Sequence, residues 1–323
     1  MPDVRHHTVQ VPATSANLGP GFDAFGVALT LHLAVRTRAR DELPTRVVAR
    51  GEGAEDVITG DDNLVWQAFV RFCDHVEVAV PDVALEAVNR IPLERGLGSS
   101  SAAIVAGLAL ARAVTATPVG DPTLVELATA IEGHPDNVAP AVLGGFVVSG
   151  RDDAGALVLR RINPVARLRP VVLVPETRQA TSEARAVLPE SLASALVADQ
   201  AARAGHVVGA LTGVWPADPR IVGDHLHEPA RTAVMGPSMA LVTALRAAQQ
   251  HAWLSGAGPS VAVALARGSR GEASLARCEE LASERNYAVL PLEFDLSGAL
   301  VCPDDGCGLA GSGGCAQCPR ERL

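Results

Sequence analysis

Hydrophobic positions recur along the chain in two rhythms. Over residues 25–38 they alternate, with Val27, Leu29, Leu31, Leu33 and Val35 on one face, which predicts a half-buried strand. Residues 8–11 and 83–91 read as shorter strands, the second ended by Pro92. Apolar residues at helical spacing predict helices over 63–72, 102–114 and 123–131. Residues 142–149 and 156–162 read as a hairpin around 152–155. The composition shifts over 160–169, which marks a candidate junction. Beyond it the pattern predicts a strand at 171–174 and helices at 190–211, 239–250 and 272–285. A strand–turn–strand is predicted around 256–259, with further strands near 288–294 and 299–302. No repeat is found, and strands and helices interleave without strict alternation. The expected class is therefore α+β rather than a doubly wound sheet.

Composition narrows the function. The chain has 323 residues, 48% hydrophobic and 20% charged, a folded composition with room for one large or two medium domains. Its net charge of −9 argues against a nucleic-acid partner, whose phosphates demand a basic excess. All 27 Lys+Arg residues are arginine. A P-loop needs a lysine for the terminal phosphates, and a protein kinase needs one on a strand, so neither route is open. A nucleotide site here must use backbone N–H groups, a metal ion or arginine. The first ten residues lack the apolar core of a signal peptide. The most apolar stretch, 102–114, is interrupted by Arg112 and is too short to span a bilayer. The expectation is a cytoplasmic protein with no membrane partner.

Four segments carry candidate chemistry. In Gly96-Leu97-Gly98-Ser99-Ser100-Ser101 a glycine turn opens a helix, which exposes free N–H groups and the positive end of the helix dipole to an anion. The same pattern also serves as a tight turn with serine caps. Glu132-Gly133-His134-Pro135-Asp136-Asn137 places two acids, a histidine and an amide just past a helix; Gly133 and Pro135 predict irregular backbone there. Glu132 suits Mg²⁺, a hard cation that takes carboxylate oxygen, although a polar turn with Asp136 or Asn137 as a cap is also open. The small-residue turn 254–260 is either a hairpin or backbone packed against a phosphate. Residues 15–23 form a loop with an amide, Asn17, an acid, Asp23, and glycines that permit special backbone angles.

In order and wording these segments resemble the GHMP kinase superfamily, and within it the homoserine kinases. Three superfamily motifs match at 11–23, 91–103 and 254–260, and the run from Glu132 to Pro140 with Leu143-Gly144-Gly145-Phe146 has homoserine-kinase-like wording. The resemblance covers residues 8 to about 302. It implies a GHMP kinase fold, with a ribosomal protein S5 domain 2-like ATP-binding domain over 1–162 and a ferredoxin-like domain over 163–302. It implies ATP and Mg²⁺, with the nucleotide on Arg95, Gly96, Leu97, Gly98, Ser99, Ser100 and Ser101, helped by Gly256 and Gly258. Ser100 and Glu132 would hold the metal. Asn17, Asp23, His134, Asn137, Thr181, Arg185 and Arg231 would contact the substrate, L-homoserine, with Asp23 on its ammonium and both arginines on its carboxylate. Two guanidinium forks on one carboxylate suit an α-amino acid. Asn137, Asp136 and Glu132 would serve the chemistry, with Asn137 near the reacting hydroxyl and no strong general base required. Relatives also imply a homodimer.

Other readings stand beside this one. A kinase of the same superfamily acting on a mevalonate-type alcohol would not need Asp23 and the arginines, because such alcohols lack the α-ammonium. A non-catalytic ligand sensor should have lost the loop glycines or metal ligands, and all are present. The 303–323 tail has no counterpart expected in this family. Its cysteines Cys307, Cys315 and Cys318, with Cys302, could close a zinc site, but the spacing is tight and irregular, and a disordered extension is the expectation.

Overall fold

The computed structural model describes residues 7–302. The tail at 303–323, with its candidate zinc ligands, lies outside the described residues.

The chain opens with β1 (Thr8–Ala16), β2 (Phe25–Ala39), β3 (Val47–Gly51), α1 (Leu64–His75) and β4 (Val83–Asn89). Three helices follow, α2 (Ser99–Thr115), α3 (Asp121–Glu132) and α4 (Pro135–Leu143), then the hairpin β5 (Phe146–Arg151) and β6 (Leu157–Ile162). The second half runs β7 (Leu168–Pro175), α5 (Thr181–Ala186), α6 (Ser194–Thr212), α7 (Glu228–Arg231), α8 (Gly236–Ala247), β8 (His251–Leu254) and β9 (Val261–Ala266). It ends with α9 (Ser269–Ser283), β10 (Tyr287–Pro291) and β11 (Leu300–Cys302).

The strands form two sheets. The seven-stranded sheet has the order β11-β1-β2-β4-β3, with β5 joining β2 to β6. The four-stranded sheet has the order β10-β7-β9-β8. Numbered along the chain, that order is 4-1-3-2. Helices separate its first strand from its second and its third from its fourth, which is the ferredoxin-like β-α-β-β-α-β arrangement. The chain crosses between sheets after Ile162, within the predicted junction. Strand β11, grouped by its position with the second half, returns to pair with β1 in the first sheet. Both sheets with their segregated helices make an α+β molecule.

Three local features depart from the sequence reading, each for a physical reason. Strand β1 runs on through Pro12 because a register shift at Pro12/Ala13 relieves the pairing that proline cannot make. Strand β3 pairs parallel to β4 and carries no alternation to reveal it. Residues 135–143, read partly as loop and partly as strand, are helix α4. Gly133 ends α3 in a left-handed turn, and Pro135 then starts α4 at the first position, where its missing N–H costs nothing.

Helix α2 sits at the centre of the larger core. Apart from the half-buried Ala103 it is buried from Ser101 through Arg112, and it packs in one core with Phe69 and Phe72 of α1 and with the sheet. This anchoring fixes the position of its N-terminus, where the Gly96–Ser101 loop lies.

Candidate active site

Gly96 and Gly98 both adopt left-handed backbone, with φ of +70° and +67°. A Cβ on Gly96 would lie 2.2 Å from the Ser255 carbonyl oxygen, and one on Gly98 would lie 2.0 Å from Thr14 Oγ1. Only glycine allows this bend against its neighbours. The bend delivers the chain into α2 with no side chain capping the helix and no acid in its first turn. The free amides there face a cavity of about 370 Å³ lined by Gly96, Leu97, Gly98, Ser99, Ser100, Glu132, His134 and Asn137. Uncapped amides, a helix dipole and small hydroxyls facing open space suit phosphate.

Opposite the helix start, Glu132 closes α3. Its Oε1 accepts hydrogen bonds from Ser100 Oγ at 2.7 Å and Ser101 Oγ at 2.8 Å. A carboxylate and a serine hydroxyl in contact at the mouth of an anion site form a donor set of the hard-oxygen kind that Mg²⁺ takes alongside nucleotide phosphates. Ser101 itself is fully buried and reaches the cavity only through Glu132. The first turn of α4 presents Asp136 and Asn137. Thr14 Oγ1 donates to Asn137 Oδ1 at 2.7 Å, which orients the amide into the cavity. His134 Nδ1 lies 2.5 Å from Asp136 Oδ1. Burial disfavours a charged imidazole, but the hydrogen bond and charge of Asp136 outweigh it and raise the His134 pKa.

Beside these groups lies a charged cluster. Arg185 of α5 grips Asp23 with both Nη atoms, at 2.6 and 3.1 Å. One ligand atom each from Asp23, His134 and Asp136 fall within 4.8 Å of one another. The Phe22 ring lies under both guanidinium groups, 5.5 Å from Arg185 and 5.8 Å from Arg231. Arg231 is 2% exposed, and burial together with nearby Arg185 lowers its pKa to about 10. Its Nε donates to the Ala184 carbonyl, and its Nη1 to Gly256 O and His227 Nδ1. No hydrogen bond is made by Nη2 among the described residues.

Several predicted contacts do not reach the cavity. Arg95 spends its guanidinium on the carbonyls of Leu93, Pro175 and Glu176 and ties the two halves together. The Gly258 N–H donates to Ser255 O, so it is a turn residue packed under Gly96 rather than a phosphate donor. Asn17 is buried; its Nδ2 donates to Gly256 O and its Oδ1 accepts from the Asp23 N–H, so it braces Asp23. Asp23, Asp136, Arg185 and Arg231 lie beside the cavity rather than on its lining, whereas Leu97 lines it although its side chain is buried. Gly256 and Thr181 do line it.

The sequence reading also missed residues. Thr14 and Phe22 lacked any signal, since each acts through a neighbour far along the chain. A second cavity, of about 410 Å³, adjoins the first through Glu94, Ser99 and Ser100. It is lined by apolar Val57, Ile58, Leu64 and Leu93, with Asp56 and Arg178 paired across its rim. Ile58 is 63% exposed, an apolar side chain left on the surface beside a cavity.

Comparison with known proteins addresses the fold and the family. Residues 63–145, from the start of α1 to just before β5, match the model of the GHMP kinases N terminal domain. The chain is 43% identical to a homoserine kinase of Streptomyces avermitilis over 302 residues, 91% of this chain and 95% of that protein. It is 41% identical to a Synechococcus homoserine kinase, over 82% of this chain and 87% of that one. The crystal structure of homoserine kinase from Cytophaga hutchinsonii superposes with a TM-score of 0.78 at 24% identity, covering 92% and 97% of the two chains, which shows the shared fold. The GHMP kinase fold and these relatives define a small-molecule kinase; within that class the chain belongs to the homoserine kinase family.

Proposed function

We propose that this chain transfers the γ-phosphoryl group of ATP to the side-chain hydroxyl of L-homoserine, giving O-phospho-L-homoserine and ADP. The observation that carries the reading is the juxtaposition of two unlike groups of residues at one cavity. On one wall, uncapped amides of α2 and the Ser100–Glu132 pair suit a metal-bound triphosphate. Beside it, with an Asp23 carboxylate oxygen within 4.8 Å of a ring nitrogen of the lining residue His134, Asp23 and Arg185 hold each other in a bidentate ion pair. A zwitterionic amino acid has the complementary polarity. Its ammonium replaces Arg185 at Asp23, and its carboxylate replaces Asp23 at Arg185, with Arg231 Nη2 alongside. A mevalonate-type alcohol has no cation to offer Asp23.

The adenine fits the apolar second cavity, with the phosphates running past Ser99 onto the loop at 96–101. Ser100 Oγ and Glu132 would hold Mg²⁺, which supplies charge neutralisation on the phosphates as they react. Ser101 keeps the Glu132 carboxylate in place. Asn137, clamped by Thr14, orients the substrate hydroxyl toward the γ-phosphorus. His134 and Asp136 set the charge beside it. As the hydroxyl oxygen bonds to phosphorus, the bond to the bridging oxygen of ADP breaks, and the hydroxyl proton passes to a phosphoryl oxygen and on to solvent. Positioning and charge stabilisation supply the rate, as is general for this chemistry. Buried Cys73 and Cys278 thiols fit a reducing, cytoplasmic setting. The homodimer expectation is carried by the family resemblance, and light scattering of the purified protein tests it.

The test is ADP release with L-homoserine, L-serine, L-threonine and mevalonate as acceptors. The expected result is turnover with L-homoserine far above the others. Turnover with mevalonate and none with L-homoserine would overturn the reading.

A further inference from the structure

Within that reading, we infer that His227 is a positioning residue that joins the two walls of the amino-acid pocket, and that its two ring nitrogens serve the two walls separately. His227 precedes the short helix α7 and is fully buried. Its Nδ1 lies 3.1 Å from Arg231 Nη1, and its Nε2 lies 2.9 Å from the Gly19 carbonyl oxygen. A guanidinium only donates, so Nδ1 must be the acceptor, and Nε2 must carry the proton that goes to Gly19. The ring is thus held neutral in one tautomer. Burial works in the same direction and lowers its pKa.

Each nitrogen reaches a different part of the site. Through Nδ1 the imidazole fixes Arg231, one turn along the chain, beside the place of the substrate carboxylate. Through Nε2 it fixes Gly19 in the loop that carries Asn17, Phe22 and Asp23, the ammonium side. The ring also packs against Phe22, with centroids 5.4 Å apart. The histidine is itself held in place, because Asp224 Oδ2 accepts its backbone N–H at 2.5 Å along with those of Leu226 and Glu228. A purely packing residue would need neither nitrogen.

Two near-isosteric substitutions separate the functions. His227→Asn keeps an acceptor oxygen near the Nδ1 position and loses the Gly19 donor. His227→Gln keeps an amide donor near the Nε2 position and loses the Arg231 acceptor. With purified wild type and both variants, KM and kcat are measured for L-homoserine and ATP, together with the preference for L-homoserine over 3-amino-1-propanol, which lacks the carboxylate. His227→Gln is expected to raise KM for L-homoserine on the order of tenfold, the cost of one lost hydrogen bond to a charged group. It should also narrow the preference over the aminoalcohol and leave KM for ATP unchanged. His227→Asn should retain that preference while KM for L-homoserine still rises. Equal effects of the two variants on both substrates, or no effect on L-homoserine, overturn the inference. Nitrogen-15 NMR of the wild-type ring, assigned through the backbone, supplies a test that needs no variant. An Nε2–H tautomer is expected, and an Nδ1–H tautomer overturns the inference. Absence of L-homoserine turnover in the wild type would instead defeat the functional reading itself, while the tautomer result would still decide the ring's role.

Discussion

At the scale of single residues, the site depends on how few groups carry charge and how each is held. Glu132 accepts from two serine hydroxyls, so a neutral amide can keep both hydrogen bonds while losing the charge a metal needs. Glu132→Gln should therefore lower kcat by roughly 10²-fold or more while leaving the melting temperature nearly unchanged, as steady-state kinetics and calorimetry would show. His134 gives a pH dependence whose sign is fixed. Burial opposes its charged form, but Asp136 outweighs burial and raises the folded-state pKa above the unfolded value near 6.5. The pair's stabilisation is complete below that unfolded value and is lost as pH rises through the raised folded value. In Asp136→Asn the opposition of burial remains, so the NMR titration of His134 should fall below about 6.5, and this part of the pH slope of stability should vanish. An unchanged titration would contradict the pairing. The chemistry-bearing residues were legible in the chain because they cluster in short polar runs among glycines. Their distant supports were not: Thr14 reaches Asn137 across 123 residues, and His227, whose closeness to Arg231 is visible in the chain, also reaches Gly19 across 208.

At the scale of elements, the start of α2 is the decisive feature. The helix is anchored by its burial, and its glycine bend is wedged between Thr14 and the Ser255 turn. Gly98→Ala would force a side chain into left-handed backbone and against Thr14 Oγ1. It should destabilise the protein by roughly 1–3 kcal/mol or more in a urea titration, and lower kcat because Thr14 would release Asn137, which orients the substrate hydroxyl. Wild-type stability in this variant would contradict the wedge. Long periodic elements such as β2, α2 and α6 could be read from the pattern. Helix α4 could not, because its flanking Gly133 and its Pro135 and Pro140 carry the composition of a loop. The helix exists because Pro135 sits at its first position and its buried face packs on β1 and β2.

At the scale of the whole molecule, two sheets are fastened along one seam, and the site lies on that seam. Ser255 Oγ bonds Gly96 O, Trp253 Nε1 donates to Ser15 Oγ, and Asn17 reaches Gly256 O. The three motifs that look separate in the chain are thus one hydrogen-bonded unit, which local periodicity has no means of revealing. The return of β11 to the first sheet is hidden for the same reason. Arg95 belongs to this seam and not to the nucleotide. Arg95→Ala should cost about 1–3 kcal/mol of stability, as expected for loss of charged-donor bonds to backbone carbonyls, with KM for ATP unchanged. A large rise in that KM with stability intact would return Arg95 to the nucleotide site.

The most direct test of the account is a crystal structure with a non-hydrolysable ATP analogue, Mg²⁺ and L-homoserine. The account predicts phosphates on the amides of residues 98–101, metal between Ser100 and Glu132, and the amino acid inserted between Asp23 and Arg185. Triphosphate bound away from that helix start, or an Asp23–Arg185 pair still closed beside bound L-homoserine, would contradict it.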